Sequence, residues 1–405
     1  MSSKLRSLYI CYYPLTEPLV QTQVVAYLRG LARLGHTIHL LTFETEPLTP
    51  AQRRAFDKQL REDGIHWHWL RYHKRPSLPA TLYDVMCGTL LALRLVRRYK
   101  LQAVHARSHV PATMGLLVRR LTGCKLLFDI RGLMAEEYVD AGNWTIEGLP
   151  YRITKFMERK LIAAADGIVV LTERIRGELF AADDARVHVI PCCTDLDSVA
   201  RQSGDRDARR AELGLDGKNV LIYVGKFGGW YMEREMADFY AAARAAIPSL
   251  HFLILTQSDP ALITNELARH GIAACDYTVR KVPHGEVGSY LAAADCAISF
   301  IRACPSKRAS SPTKFGEYLA AGLPVVCNTG VGDVDLIVDR YRIGVSLNEF
   351  SPEAYSIAAE QLLPMLGDRE LAALCRRVAI ECASLEGIGI PRYDALYGQL
   401  AELQP

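Results

Sequence analysis

Ser310-Ser311-Pro312-Thr313-Lys314-Phe315-Gly316-Glu317-Tyr318-Leu319-Ala320-Ala321-Gly322-Leu323-Pro324-Val325-Val326-Cys327 reads as a short capped helix feeding a strand. Ser311 suits the N-cap and Pro312 the first helical position, where a missing N–H costs nothing. Gly322 stops the helix, and Pro324 keeps it from resuming before the Val-Val run. Lys314 is the odd residue. It sits in the first turn, where the helix dipole favours anions and a capping box would carry Glu or Gln. A cation aimed at a helix N-terminus makes sense when an external anion is held there by N–H groups and ammonium together. Glu317 follows on the same face, within reach of a hydroxyl on whatever carries that anion. The alternative is an ordinary i,i+3 surface pair, since the dipole mismatch costs only ~0.3–1 kcal/mol.

Outward from this stretch, strands and helices alternate through the whole chain. Leu8 to Tyr13 reads as a buried strand, Thr16 to Thr22 as a polar loop, about Gln23 to Leu34 as a helix and Ile38 to Phe43 as the next strand, a complete βαβ unit. Further strands are expected at His66–Trp69, Ala103–Ala106, Leu126–Ile130, Gly167–Leu171 and Val187–Ile190, with helices over 82–99, 112–121, 152–165 and 173–180. Pro191 to Gly217 reads as a charged linker with a helix in it. The rhythm restarts with strands at Val220–Val224, His251–Leu255 and Cys296–Phe300, interleaved with helices over 233–246, 260–270 and 286–294. A strand at about Val325, another at Val334–Val338 and helical sequence from about Pro352 complete it. The pattern predicts α/β architecture with two Rossmann-like, doubly wound domains: residues 1–200 and 201–385, with a helix at about 386–405 packing back on the first. In such sheets ligands sit at the C-terminal ends of strands, and two such domains favour a cleft between them.

Composition agrees with two full cores: 405 residues, half of them hydrophobic, with 23% charged. The first apolar run is too short for a signal peptide, and Leu82 to Leu93 is broken by Arg94. Eleven cysteines lack CxxC pairs, so reduced thiols in a cytoplasmic protein are expected rather than disulfides. The net charge of +3 is uneven. Residues 1–200 carry 27 Lys and Arg against 20 Asp and Glu, and residues 201–405 carry 21 against 25. The basic half suggests an anionic partner, with an uneven mixed surface as the alternative. Nucleic acid is a poor fit because aromatics do not interleave on a basic face.

Several chemistries find no support. There is no GxxxxGK[ST] loop and no HExxH, and Gly330-Val331-Gly332 lacks the third glycine of a dinucleotide fingerprint. Three DxD triplets, at 195–197, 205–207 and 333–335, are short enough to recur by chance, and the pairs His66/His68 and His105/His109 lack clustered carboxylates. What remains is loops after strands. Gly225-Lys226-Phe227-Gly228-Gly229 lets backbone approach a phosphate, with Lys226 adding charge. Arg302 and Lys307 lie in the loop delivering the chain to Ser311, so up to four cations converge on one anion.

These residues carry a resemblance to the family 4 glycosyltransferases of the two-domain GT-B fold, in a bacterial polysaccharide-building branch. The resemblance runs through Val282-Pro283-His284, Ser299-Phe300-Ile301-Arg302 and the segment from Ser306 to Val325. It continues in Glu17-Pro18-Leu19, Gln21-Thr22-Gln23, Asp129-Ile130-Arg131-Gly132 and Val189-Ile190-Pro191-Cys192-Cys193. It implies a hexosyltransferase that moves a sugar, with retention of configuration, from a nucleotide-diphosphate sugar of UDP or GDP type to a lipid-linked or oligosaccharide acceptor. No cofactor or metal is required. Glu317 matches the glutamate that accepts ribose hydroxyls, and Lys314 and Lys226 match phosphate-binding positions. Gly225, Phe227, Gly228, Arg302, Lys307, Ser311, Pro312 and Thr313 complete the implied donor site, with Val282 and His284 beside the base. Arg131 stands where the family has a catalytic-loop histidine, and Ala309 where it has a first glutamate; a second phosphate lysine after Lys226 is missing. Thr16, Gln21, Asp129, Glu136 and Glu137 are the acceptor or sugar candidates, with a solvated charged loop as the alternative for the last three. Arg94, Arg97, Arg98 and Lys100 suggest peripheral contact with an anionic inner membrane leaflet. A GT-B nucleotide-sugar epimerase and a catalytically inactive nucleotide-binding scaffold are the rival readings.

Overall fold

The computed structural model describes residues 3–403. It forms two compact units, one running to Pro191 and resuming at Glu386, the other spanning Cys192–Leu385.

The first unit is built on a seven-stranded parallel sheet: β1 (Arg6–Cys11), β2 (Thr37–Glu44), β3 (Ile65–Arg71), β4 (Ala103–Arg107), β5 (Lys125–Asp129), β6 (Gly167–Val170) and β7 (Val187–Val189), in the order β3-β2-β1-β4-β5-β6-β7. The register pairs Leu8 of β1 with His39 of β2 on one side and Val104 of β4 on the other. Central strands are buried on both faces, so Leu8, Ile10, Leu126, Leu127 and Phe128 are fully enclosed and the strands read as continuous apolar runs. The last helix, Ile390–Glu402, belongs to this unit and buries Tyr393, Leu396, Tyr397 and Leu400. It packs so closely that a Cβ on Gly30 would lie 2.2 Å from Ile390 Cδ1.

The second unit has six parallel strands: β8 (Asn219–Val224), β9 (Leu250–Leu255), β10 (Tyr277–Arg280), β11 (Cys296–Ser299), β12 (Val325–Asn328) and β13 (Gly344–Leu347), in the order β10-β9-β8-β11-β12-β13. Two apolar layers cover the sheet, one gathered around Tyr318, Leu319 and Val338, the other around Phe239, Tyr240 and Phe300.

Four local expectations are corrected. The first helical stretch begins at Pro18, not Gln23, and passes through a π-helical turn at Gln21–Val25, so only the start of the expected polar loop is a loop. The charged segment after Pro191 is not a free linker. It forms helices Leu196–Gln202 and Arg206–Leu213, and its arginines are spent on the fold: Arg206 and Arg210 donate to the carbonyls of Ala292, Ala293 and Ala294 and pair with Asp295. Val334–Val338 lies in a helix, Val334–Tyr341, with Val334 and Val338 buried one turn apart. The edge strands β10 and β13 had no counterpart in the sequence reading. Among the described residues none of the eleven cysteines is in a disulfide.

Candidate functional site

The helix Thr313–Ala321 forms where expected and ends at Gly322, whose φ of 85° no side chain tolerates well. Its start differs from the expectation. Pro312 is the N-cap, and the Ser311 hydroxyl instead accepts a hydrogen bond from the Cys192 N–H at 3.0 Å. Among the described residues no side chain caps the helix, so its positive end is left for something else. Lys314 Nζ reaches forward to Glu317, 2.8 Å from Oε1 and 2.7 Å from Oε2. Both partners are held close to the protein, with side chains 25% and 12% exposed. Burial, then the Lys314 charge, lower the His284 imidazole below its ordinary value while Glu317 opposes them, so His284, Lys314 and Glu317 share one electrostatic neighbourhood.

Tyr318 fixes this helix to the sheet. Its buried hydroxyl accepts from the Val224 N–H at 2.9 Å, at the last residue of β8. The chain then enters the glycine loop. A Cβ on Gly225 would lie 2.6 Å from Tyr223 Oη, and Gly228 and Gly229 hold φ of 84° and 69°, so all three positions need glycine. Phe227 is buried, stacks on Tyr223 with centroids 4.8 Å apart, and donates its N–H to Ser258. Lys226 is exposed, and the Gly228 N–H is taken by Glu233 at 3.3 Å.

β8, β11 and β12 are neighbours in the sheet, so the loops leaving their C-terminal ends converge. The Arg302 N–H donates to the Trp230 carbonyl at 2.7 Å, joining the β11 loop to the glycine loop. Lys307 Nζ sits 3.7 Å from the Trp230 ring centroid, and its carbonyl accepts from the Gly332 N–H beyond β12. Asn328, the last residue of β12, bonds the Ile301 N–H and C=O, both at 2.9 Å. Ala309 is buried at the end of a short 3-10 turn, Pro305–Ala309, and Val282 is buried with its carbonyl accepting from Gln257. The structure thus brings Gly225, Lys226, Phe227, Gly228, Arg302, Lys307, Ser311, Pro312, Thr313, Lys314 and Glu317 to one end of one sheet. Trp230 was not anticipated. Its indole N–H is buried with no hydrogen-bond partner among the described residues.

In the first unit the candidates divide. Asp129 is not in a solvated loop: it closes β5, fully buried, and accepts from the Tyr393 hydroxyl at 3.1 Å. Burial alone would raise its carboxyl, but Arg131, His105 and Arg107 bring it down to about 2. Arg131 Nη1 lies 3.6 Å from Asp129 Oδ1. Arg107, missed by the sequence reading, closes β4 nearly buried, with no hydrogen-bond partner for Nη1 among the described residues; its only sequence signal was a charge ending an apolar strand. Glu136 is paired with Lys155 at 2.9 Å, and Glu137 packs against Gly132. Lys155 also bonds Glu158, which accepts from or shares a proton with His109 at 3.0 Å. Gln21 donates to the Leu15 carbonyl at 2.6 Å, while Thr16 is exposed.

Comparison with known proteins agrees with this architecture. Residues 20–193 match the model of the glycosyl transferase 4-like domain. A D-inositol 3-phosphate glycosyltransferase of Segniliparus rotundus is 25% identical over 303 residues, which are 72% of this chain and 64% of that protein. The chain therefore spans somewhat under two-thirds of the length of that curated relative. Among solved structures, a glycosyltransferase from Rickettsia africae superposes with a TM-score of 0.73 at 14% identity, covering 99% of this chain and 100% of its own. Anabaena HepE, in complex with UDP and glucose, superposes with a TM-score of 0.66 at 12% identity, covering 95% and 97%. The fold is GT-B, and the chain has glycosyltransferase homologues.

Proposed function

We propose that the protein is a retaining glycosyltransferase that moves a hexosyl group from a nucleotide-diphosphate sugar to a hydroxyl of a lipid-linked or oligosaccharide acceptor. One observation carries the reading: the uncapped N-terminus of helix Thr313–Ala321, with Lys314 and Glu317 in its first turns, adjoins a three-glycine loop at the C-terminal ends of neighbouring strands. Helix N–H groups, Lys314 and Lys226 would hold the diphosphate, Glu317 would accept the ribose hydroxyls, and Val282 and His284 would border the base. UDP is the favoured nucleotide, because HepE was solved with it.

The transfer then proceeds on one face of the sugar. The bond from the anomeric carbon to the diphosphate oxygen breaks, and its electron pair leaves with the diphosphate. The acceptor oxygen bonds the same face, and its proton passes to a donor phosphate oxygen. The chain's contribution is electrostatic, worth several kcal/mol when cations and N–H groups are fixed in advance around the leaving charge. Lys314 and Lys226 supply that charge without a resident metal. Arg131, anchored by Asp129, and Glu136 and Glu137 are the acceptor-side candidates, and the reaction runs in the cytoplasm.

The test is a calorimetric panel of UDP, GDP, ADP and TDP, followed by NMR of the product formed with the matching donor. Binding of one nucleotide and a glycoside of unchanged anomeric configuration are expected. An isomerised nucleotide sugar would select the epimerase reading. Nucleotide binding without turnover on any acceptor would select the scaffold.

A further inference from the structure

In the first unit the crossovers from β3 to β4, β4 to β5 and β5 to β6 all step the same way along the sheet, so right-handed connections lay their helices on one face. These helices are Ser77–Tyr99, His109–Thr122 and Leu149–Ala164, and each packs on the next. Their outer surface is unusual for a water-facing layer. On the first helix Leu78, Leu82, Met86 and Leu90 form a line one turn apart, 69%, 61%, 53% and 61% exposed. On the second, Leu117 and Leu121 continue it; on the third, Leu149, Ile153 and Phe156 do so, all exposed.

The charges on this face have one sign. Residues 71–100 hold seven Lys and Arg and one acid, Asp84. That acid is turned inward, accepting from the Tyr12 hydroxyl at 2.7 Å and the His73 N–H at 2.9 Å. The only acid of the third helix, Glu158, is likewise buried against His109 and Lys155, and the second helix has none. Arg97 and Arg98 close the first apolar line, Arg120 flanks the second, and Arg152, Arg159 and Lys160 share the exposed stripe of the third. Glu147, which is exposed, precedes the third helix.

The helix Ser77–Tyr99 is long and apolar enough to cross a bilayer, but its inner side is committed to the fold: a Cβ on Gly88 would meet Met114 Sδ at 2.6 Å and Phe43 at 3.0 Å. Only one side is available to lipid. We propose that these three helices form a monotopic docking face for an anionic phospholipid surface, with leucines and phenylalanine entering the headgroup–acyl boundary and arginines and lysines pairing with lipid phosphates. This role is independent of the donor site.

The test is co-sedimentation of the full chain with vesicles of one-third phosphatidylglycerol in phosphatidylcholine, against phosphatidylcholine alone, at low and high salt. Wild type is expected to sediment with the anionic vesicles and to be released in part by salt. The triple variant Arg152→Glu, Arg159→Glu, Lys160→Glu should lose partitioning on the order of a hundredfold, and Leu82→Glu with Leu90→Glu a similar amount. All five side chains are exposed, so both variants should keep the wild-type melting temperature and UDP affinity. Failure of folded wild type to bind anionic vesicles overturns the proposal, as does undiminished binding by both variants. A dimer in light scattering that Leu82→Glu with Leu90→Glu dissolves would assign the face to a second copy instead.

Discussion

Removing the Glu317 carboxylate separates two functions that a single affinity cannot distinguish. In the free protein Glu317 holds Lys314 through two contacts of 2.7 and 2.8 Å; in the donor complex it is assigned to the ribose hydroxyls. Glu317→Ala therefore deletes a charged hydrogen bond to the nucleoside, about 1.5–3 kcal/mol or 10- to 150-fold in Kd. It also frees the ammonium from a partly exposed pair worth about 0–1 kcal/mol. UDP should weaken roughly 2- to 150-fold after that offset, whereas inorganic pyrophosphate, which has no ribose, should bind as well as before or up to about fivefold tighter. Lys314→Ala should weaken both ligands alike, by roughly tenfold or more. Calorimetry of both ligands against wild type and the two variants reads all four numbers. If Glu317→Ala weakens pyrophosphate as much as UDP, the carboxylate does not read the sugar. If Lys314→Ala changes neither, Lys314 and Glu317 are a surface pair on an ordinary helix, and the donor site lies elsewhere.

Three further outcomes are expected. Tyr318→Phe strands the Val224 N–H at the junction of helix and glycine loop, and should lower stability by about 1–2 kcal/mol in denaturant unfolding of the second unit while weakening UDP. Gly316→Ala adds a Cβ 2.6 Å from Thr194 Oγ1 and 3.0 Å from Ala383 Cβ, and the overpacking should outweigh the gain in helix propensity by about 1–2 kcal/mol, read as a lower melting temperature. Burial, helped by neighbouring His66, lowers His39 and His68 to about 4, with the two imidazoles sharing a bond of 3.0 Å. Their folded-state values lie below the unfolded value near 6.5, so their contribution is complete above about pH 6.5 and is lost as pH falls towards 4. Melting of the first unit should drop across that window, and less so in His39→Asn with His68→Asn.

The legibility of this molecule follows from which signals are local. Parallel strands buried on both faces are short apolar runs bounded by glycine and polar loops, so β1, β2, β4, β5, β8, β9 and β11 stand out along the chain. The edge strands of the second sheet, β10 and β13, do not. Tyr277–Arg280 is only half buried and ends in arginine, and Gly344–Leu347 alternates buried and partly exposed residues, leaving too little pattern in four residues. Val334–Val338 misleads for the converse reason: a helix covering a sheet buries residues four apart, and a run of five apolar-rich residues contains one such pair whichever structure it adopts.

Non-local partners decide the rest. Ser311 has the right chemistry for an N-cap, yet a backbone N–H 119 residues earlier takes its hydroxyl, and the helix end stays uncapped as a result. No pattern within the quoted stretch could have revealed that competition. Asp129 and Glu158 make the same point with the opposite consequence. Nothing in the sequence next to either residue marks it as buried, but Tyr393, 264 residues away, and His109, 49 residues away, draw the two carboxylates inward. In the case of Glu158 that inward turn also removes the only acid from the exposed side of its helix. A charge taken into the core thus leaves the outer face basic and apolar together, a property that belongs to neither the composition nor the helical period of the segment but only to how its acid is satisfied.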